Sequence, residues 1–445
     1  MPMKQRVLRT ILATTTLASF SLGSAQFASA EEQTQQTSNW TIEDASQIER
    51  TDDNTAPYIE PDFEKIAPEL HVWDTWPLRN KDGSIAKVNG NYVIFSLTAS
   101  ADLLPGKRHD VATIRYFYSK NGQDWTLGGK AFETEEAYGA RQWAGSAMIE
   151  DGELNLFYTA TGRKGEENVS YEQRLALAKG DIQANAHDVS FSNFDHSIIL
   201  EPEGEYYQTE EQSNQGDISY AFRDPWFFED PKTGKDYILF EGNSAGTPVE
   251  RSLDPAYIGS ESFQNDYELE MEDFAKLFNG SIGIAKATND EYTEYEALPP
   301  LLEANYVNQE LERPHIVTKG NQYYLFTNTH EHKFGPGVDG PDGLYGFSSD
   351  QLLGEYEPLN DSGLVLANPE DNAYQAYSWM VLPNGKVISF YNFHDLDGRN
   401  IADLGATSPE YQMNHFGGTL APTIKLAIQN DSTKVLNAGK PGKIK

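Results

Sequence analysis

From Pro57 onward, short apolar runs alternate with turn residues, and sustained spacing at the helical period is scarce. Nine runs read as strands: Tyr92–Leu97, Ile114–Tyr118, Leu154–Thr159, Arg174–Ala178, Tyr237–Glu241, Ser281–Ala285, Tyr323–Thr327, Gly343–Phe347 and Val387–Tyr391. Turn signals such as Asn121-Gly122, Asp151-Gly152, Lys319-Gly320 and Asn384-Gly385 separate many of them. Short helices are expected over Tyr267–Phe278 and around Ile42–Ile48. The pattern predicts an all-β chain.

A loose repeat runs through it. A polar or aromatic marker opens an apolar strand, a glycine-containing turn follows, and a second strand ends in Phe plus one residue. The pairs are Asp74 with Phe95-Ser96, Trp143 with Phe157-Tyr158, Asp224 with Phe240-Glu241, Glu312 with Phe326-Thr327, and Tyr377 with Phe390-Tyr391. Five all-β units spaced by roughly 65 to 90 residues fit a five-bladed β-propeller. A sandwich or barrel with coincidental spacing is the competing reading. In a propeller the first strand of each blade lines the central channel, so the five markers would converge, each at the same place in its repeat.

The ends of the chain read differently. Residues 1–30 carry a basic start (Lys4, Arg6, Arg9), an apolar stretch over Ile11 to Ala25, and Ala28-Ser29-Ala30 before Glu31. That is the layout of a secretory signal peptide, and Thr14–Thr16 dilute the run too much for a membrane anchor. A secreted, extracellular protein without membrane attachment is expected. Residues 31–55 are polar and read as an N-terminal arm or linker, leaving 56–445 as the propeller domain.

Of the 445 residues, 12% are aromatic, too many for a disordered acidic chain. The formal net charge of -34 argues against nucleic acid as a partner, since phosphates would be repelled. A neutral, hydroxyl-rich ligand meets no such barrier. With no cysteine, a secreted chain must depend on a large core rather than disulfides.

Three acids stand out: Asp74 in Val72-Trp73-Asp74-Thr75-Trp76-Pro77, Asp224 in Phe222-Arg223-Asp224-Pro225, and Glu312 in Glu310-Leu311-Glu312-Arg313-Pro314. Retaining glycoside cleavage needs one carboxylate to attack the anomeric carbon and a second to shuttle a proton. Asp74, short and held between two Trp rings, suits the nucleophile. Glu310 and Glu312 would share a strand face, where like charges favour a protonated acid. Arg313 would orient a carboxylate through its planar fork. Asp224 beside Arg223 reads as ionised and able to grip sugar hydroxyls. Each also has a plain structural reading, as a turn acid or an exposed strand residue. Trp73 and Trp143 are stacking candidates or core, His330 a hydroxyl-binding candidate, and Tyr377 a hydrogen-bond donor to the carboxylates. His330 and His332 lack a third ligand at metal-site spacing. Asp339, Asp342 and Asp371 read as turn acids rather than calcium ligands.

At these motifs the sequence resembles glycoside hydrolase family 68, the levansucrases, inulosucrases and related β-fructofuranosidases. The resemblance spans roughly Pro57 to Ile428 and rests on the three acidic motifs together with Trp143-Ala144-Gly145-Ser146-Ala147 and Tyr377-Ser378. It implies a five-bladed propeller with a funnel-shaped central pocket. It also implies Asp74 as nucleophile, Asp224 as transition-state stabiliser and Glu312 as general acid/base. Trp73, Trp143, Arg223, Glu310, Arg313, His330 and Tyr377 are implied to bind substrate, with His330 influencing acceptor handling. Sucrose and fructan acceptors are the implied partners of a monomeric enzyme without cofactor. Ala144 replaces a Ser common in the family. Gln309 and Ile218 stand where acidic calcium ligands are expected, so no metal is predicted. The function classes left open are a levansucrase-type fructosyltransferase, an inulosucrase, a mainly hydrolytic β-fructofuranosidase, and a non-catalytic sugar-binding propeller.

Overall fold

The computed structural model describes residues 35–60, 62–214, 220–269 and 271–445. The expected signal peptide and the Ile218 position lie outside them. The described chain is mostly β, in four hydrogen-bonded sheets. The largest has eight strands, built from two antiparallel halves joined where Leu78–Asn80 runs parallel to Ala147–Ile149. Counting its halves separately gives five antiparallel groups. Their first strands are Leu70–Asn80, Arg141–Glu150, Phe222–Glu229, Glu312–Lys319 and Ala376–Val381. Each touches the next, and the fifth touches the first, so they close a ring. All nine strand runs read from the sequence fall inside observed strands.

Each first strand carries a register shift against its antiparallel neighbour: at Trp73/Trp76, Trp143/Gly145, Arg223/Trp226, Glu312/His315 and Tyr377/Met380. Four of the five bulges hold a non-glycine residue in the left-handed region: Asp74 (φ 46°), Asp224 (φ 63°), Arg313 (φ 50°) and Ser378 (φ 59°). Such a conformation costs on the order of 1–3 kcal/mol per residue and clusters at functional sites. In the second strand the bulge sits at Ala144-Gly145, where a Cβ on Gly145 would lie 2.1 Å from the Phe157 carbonyl oxygen. A bulge turns neighbouring side chains toward one side, which strict alternation forbids.

The bulges correct the repeat. Glu312 does not occupy the place of Asp74 and Asp224. It aligns with Trp73, Trp143, Arg223 and Tyr377, one residue earlier, and Arg313 stands at the position of the two aspartates.

The N-terminal segment is also more ordered than its composition suggests. Ser38–Asn39 pairs in parallel with Leu302–Glu303, and Trp40 is buried against Phe334, Tyr345 and Phe347. The Trp40 indole N–H donates to the Ser362 carbonyl at 3.0 Å. This described part is no free arm, because averaging over a polar window hides Trp40, Ile42 and Ala45, all buried. The helices are shorter than expected. Ile42–Ala45 forms a single turn with a Thr41/Asp44 capping box. Among the described residues of Tyr267–Phe278, only Glu272–Ala275 is α-helical; Tyr267 is extended and Met271 is left-handed (φ 57°).

Candidate active site

At the bulged ends of the first strands lies a pocket of about 930 Å³. Asp74, Asp224 and Glu312 all line it, with Trp73, Trp143, Arg223, Glu310, Arg313, His330 and Tyr377. Every site residue expected from the sequence is therefore brought together.

Glu312 is held from two sides. The Tyr377 hydroxyl donates to its Oε2 at 2.5 Å, and an Arg223 guanidinium nitrogen lies 3.2 Å from its Oε1. Its own carbonyl accepts from the Thr327 hydroxyl at 3.0 Å, which pins the strand at the bulge. His330 stacks on Tyr377, ring centroids 3.7 Å apart, with Nε2 4.0 Å from Glu312 Oε2. Burial and the surrounding acids, Glu312 foremost, push the Tyr377 phenol well up, so it remains a donor.

Asp224 is buried, and its Oδ2 accepts the backbone N–H of Arg313 at 3.1 Å. Its own amide donates to the Thr159 hydroxyl at 2.9 Å, and that hydroxyl donates to the Ala144 carbonyl at 3.0 Å. These bonds tie the second, third and fourth first strands together. Burial, reinforced by the Glu312 and Asp74 carboxylates, raises the Asp224 carboxyl to about 7, although Arg223 and Arg313 pull the other way. Contrary to expectation, its sequence neighbour Arg223 does not hold Asp224 in the ordinary carboxylate range. The Arg223 Nε lies 4.0 Å from Asp224 but 2.9 Å from Glu241, a wholly buried acid on the next strand.

Glu310 differs from its expected role too. Its carboxylate lies 2.6 Å from Lys333 Nζ and 3.5 Å from Arg223. Burial opposes its charge, but Lys333, Arg223 and His330 outweigh burial and bring the carboxyl down to about 2. Glu310 is therefore an anion with its own cations rather than a bare like charge beside Glu312. Arg313 makes no carboxylate fork. Its guanidinium donates to the Thr75 carbonyl (2.8 Å) and to the Ser378 carbonyl (3.1 Å) and hydroxyl (2.5 Å), bracing the fourth strand against the first and fifth. Asp74 takes no hydrogen bond from any described residue, which leaves its oxygens open to the pocket.

Four participants escaped the sequence reading. Arg108 and His109 line the pocket beside Trp73 and Trp143, and the His109 carbonyl accepts the Trp143 indole N–H at 3.0 Å. Burial, with Arg108 nearby, keeps the His109 ring neutral. Glu241 lies beneath Arg223. Asp342, read as a turn acid, is buried with Oδ2 2.7 Å from His330 Nδ1. The available signal was His330 itself: a pocket histidine commonly has its second nitrogen fixed by a carboxylate. No group of acids and histidines with metal-site geometry occurs among the described residues.

Residues 29–445 match a family model described as Levansucrase/Invertase. The chain belongs to glycoside hydrolase family 68. Family 68 relatives include a levansucrase from Rahnella aquatilis, 35% identical over 417 residues, covering 89% of this chain and 93% of the relative. A Zymomonas mobilis levansucrase is 39% identical over 398 residues, 87% of this chain and 88% of its own. Among solved structures, the inulosucrase from Halalkalicoccus jeotgali bound to kestose superposes with a TM-score of 0.84 at 49% identity, covering 92% of this chain and 97% of that one. The levansucrase from Gluconacetobacter diazotrophicus gives 0.79 at 30% identity, covering 92% of each chain. This chain is accordingly a family 68 fructosyltransferase acting on sucrose.

Proposed function

We propose that the protein is a secreted levansucrase-type fructosyltransferase built as a five-bladed propeller. The ring of first strands supports the architecture, and the convergence of Asp74, Asp224 and Glu312 on one pocket carries the function. Fructose enters deepest, beside the open Asp74 oxygens. Glu312 gives a proton to the bridging oxygen as the bond from that oxygen to the anomeric carbon breaks, and glucose leaves. Asp74 attacks the same carbon and forms a fructosyl ester. Asp224, buried and presented by the Arg313 amide, binds fructosyl hydroxyls as positive charge develops on the ring. Glu312, now a carboxylate, takes the proton of an acceptor hydroxyl, whose oxygen displaces Asp74. Water as acceptor gives free fructose; sucrose or a fructan gives a longer chain.

Sucrose supplied to purified Asp74→Ala and Glu312→Ala variants should yield no glucose above background. Glucose release by folded Asp74→Ala protein at the wild-type rate would remove Asp74 from the nucleophile role.

A second reading, inulosucrase, draws on the 49% identity to the Halalkalicoccus jeotgali enzyme. Carbon-13 spectra of the fructan distinguish them: β-2,6 linkages support levansucrase, and β-2,1 linkages support inulosucrase.

A further inference from the structure

Asp342 is a buried carboxylate whose oxygens are both committed to the turn that carries His330. Oδ2 lies 2.7 Å from His330 Nδ1, and Oδ1 accepts the Glu331 amide at 2.8 Å. The His330 ring is clamped between Tyr377 (3.7 Å, 12° between planes) and His332 (5.2 Å, 22°). Its free Nε2 faces the pocket, 4.0 Å from Glu312. The arrangement follows the logic of a carboxylate that fixes the protonation and plane of a catalytic imidazole.

We propose that Asp342 is a positioning residue for acceptor selection: it locks His330 as an imidazolium whose Nε2–H is offered to the incoming sugar, and so sets the partition of fructose between sugar and water. This rests on the fructosyl-transfer reading above. Nε2 is the ring nitrogen left over once Asp342 has taken Nδ1, and it lies beside the residue that deprotonates the acceptor. An N–H there can hold a sugar hydroxyl in line for attack, an advantage that water, as a smaller and freely supplied acceptor, does not need. A neutral ring on the Asp342 carboxylate would keep its proton on Nδ1 and present a bare Nε2, which can accept but cannot donate to the sugar.

The groups facing His330 are Asp342 from the following segment, Glu310 and Glu312 from the fourth first strand and its approach, Tyr377 from the fifth, and His332 and Lys333 from its own turn. Arg223 and His109 line the same pocket. Burial opposes the charge, but Asp342 first, then Glu312 and Glu310, raise His330 to about 9.

Two measurements test the proposal. Nitrogen-15 histidine spectra of the whole secreted chain, with the His330 signal assigned by His330→Gln, should show a doubly protonated ring through pH 8. In Asp342→Asn, which keeps an acceptor for the Glu331 amide, the ring should be neutral at pH 8. Titration of wild-type His330 near its ordinary 6.5 would overturn the proposal whatever the enzyme does. With sucrose, the ratio of free fructose to glucose should rise at least about threefold in Asp342→Asn and return toward wild type in Asp342→Glu. The Asp342→Asn/His330→Gln double variant should add nothing to His330→Gln alone. An unchanged ratio in folded Asp342→Asn, or additive effects in the double variant, would refute it. Failure of the wild type to release glucose would instead strike the transfer reading, while the spectra still judge the pair.

Discussion

Arg223 and Glu241 face each other across neighbouring strands, Nε 2.9 Å from Oε2, beneath the acids that line the pocket. The guanidinium reaches past this anchor to Glu312 and Glu310. Glu241 is wholly buried, and burial together with the other acids drives its carboxyl well up in spite of Arg223. A carboxyl so placed gains little from being charged. Glu241→Gln keeps a similar shape and an acceptor for Arg223, so its stability should stay within about 1 kcal/mol of wild type. Glu241→Ala leaves a cavity and an unanchored guanidinium, at a cost of about 3 kcal/mol. Denaturant unfolding separates the two; equal losses would show that the charge of Glu241, not its shape, matters.

The Tyr377 hydroxyl tests how Glu312 is held. A hydrogen bond to an ionisable group contributes about 1.5–3 kcal/mol. Tyr377→Phe keeps the ring stacked under His330 and removes only this bond. Turnover on sucrose should fall about 10- to 100-fold, with KM changing much less. A loss confined to KM would mean that Tyr377 binds sugar and does not orient the acid.

Much of this site is legible in the sequence, and the failures have two causes. The strands were readable because apolar runs bounded by glycine turns report burial directly, and the pocket residues because one marker recurs in each unit: an acid beside Trp or Arg in three of them, Trp143 and Tyr377 in the other two. The reading then assumed that side chains alternate along a strand. At Asp74, Asp224, Arg313 and Ser378 the backbone instead turns left-handed, so Trp73 and Asp74 both reach the pocket, as do Arg223 with Asp224 and Glu312 with Arg313. Only Gly145 announces such a bulge by residue type. The partners of Arg223, Glu310 and His330 were hidden for a different reason: Glu241, Lys333 and Asp342 respectively reach them from other parts of the chain, and such charge pairs leave no local pattern.

The surface charge has its own consequence. With 68 acidic against 34 basic residues, the folded chain repels itself, and added salt screens that repulsion. The unfolding temperature should climb with NaCl, with most of the rise complete by about 1 M, where the screening length is about 3 Å. A midpoint indifferent to NaCl between low salt and 1 M would mean that the acids are spaced too widely to matter.

Asp224 offers the sharpest link between stability and function. Its carboxyl is raised to about 7 in the folded chain by burial and by Glu312 and Asp74, against about 3.9 in an unfolded one. Below both values the proton is bound in either state and contributes nothing. Between them the unfolded chain ionises while the folded chain holds its proton, so stability declines as pH rises. Above about 7 the full penalty, on the order of 4 kcal/mol, is present. Asp224→Asn removes that penalty while leaving an oxygen for the Arg313 amide. The variant should therefore be more stable than wild type at pH 8, with the gain shrinking to nothing near pH 4, and its sucrose cleavage should collapse at every pH. Unfolding curves of both proteins from pH 4 to 8 decide the matter. A variant no more stable at pH 8 would mean that Arg223 and Arg313 already compensate the charge, so that the aspartate is held in place at no cost to the fold.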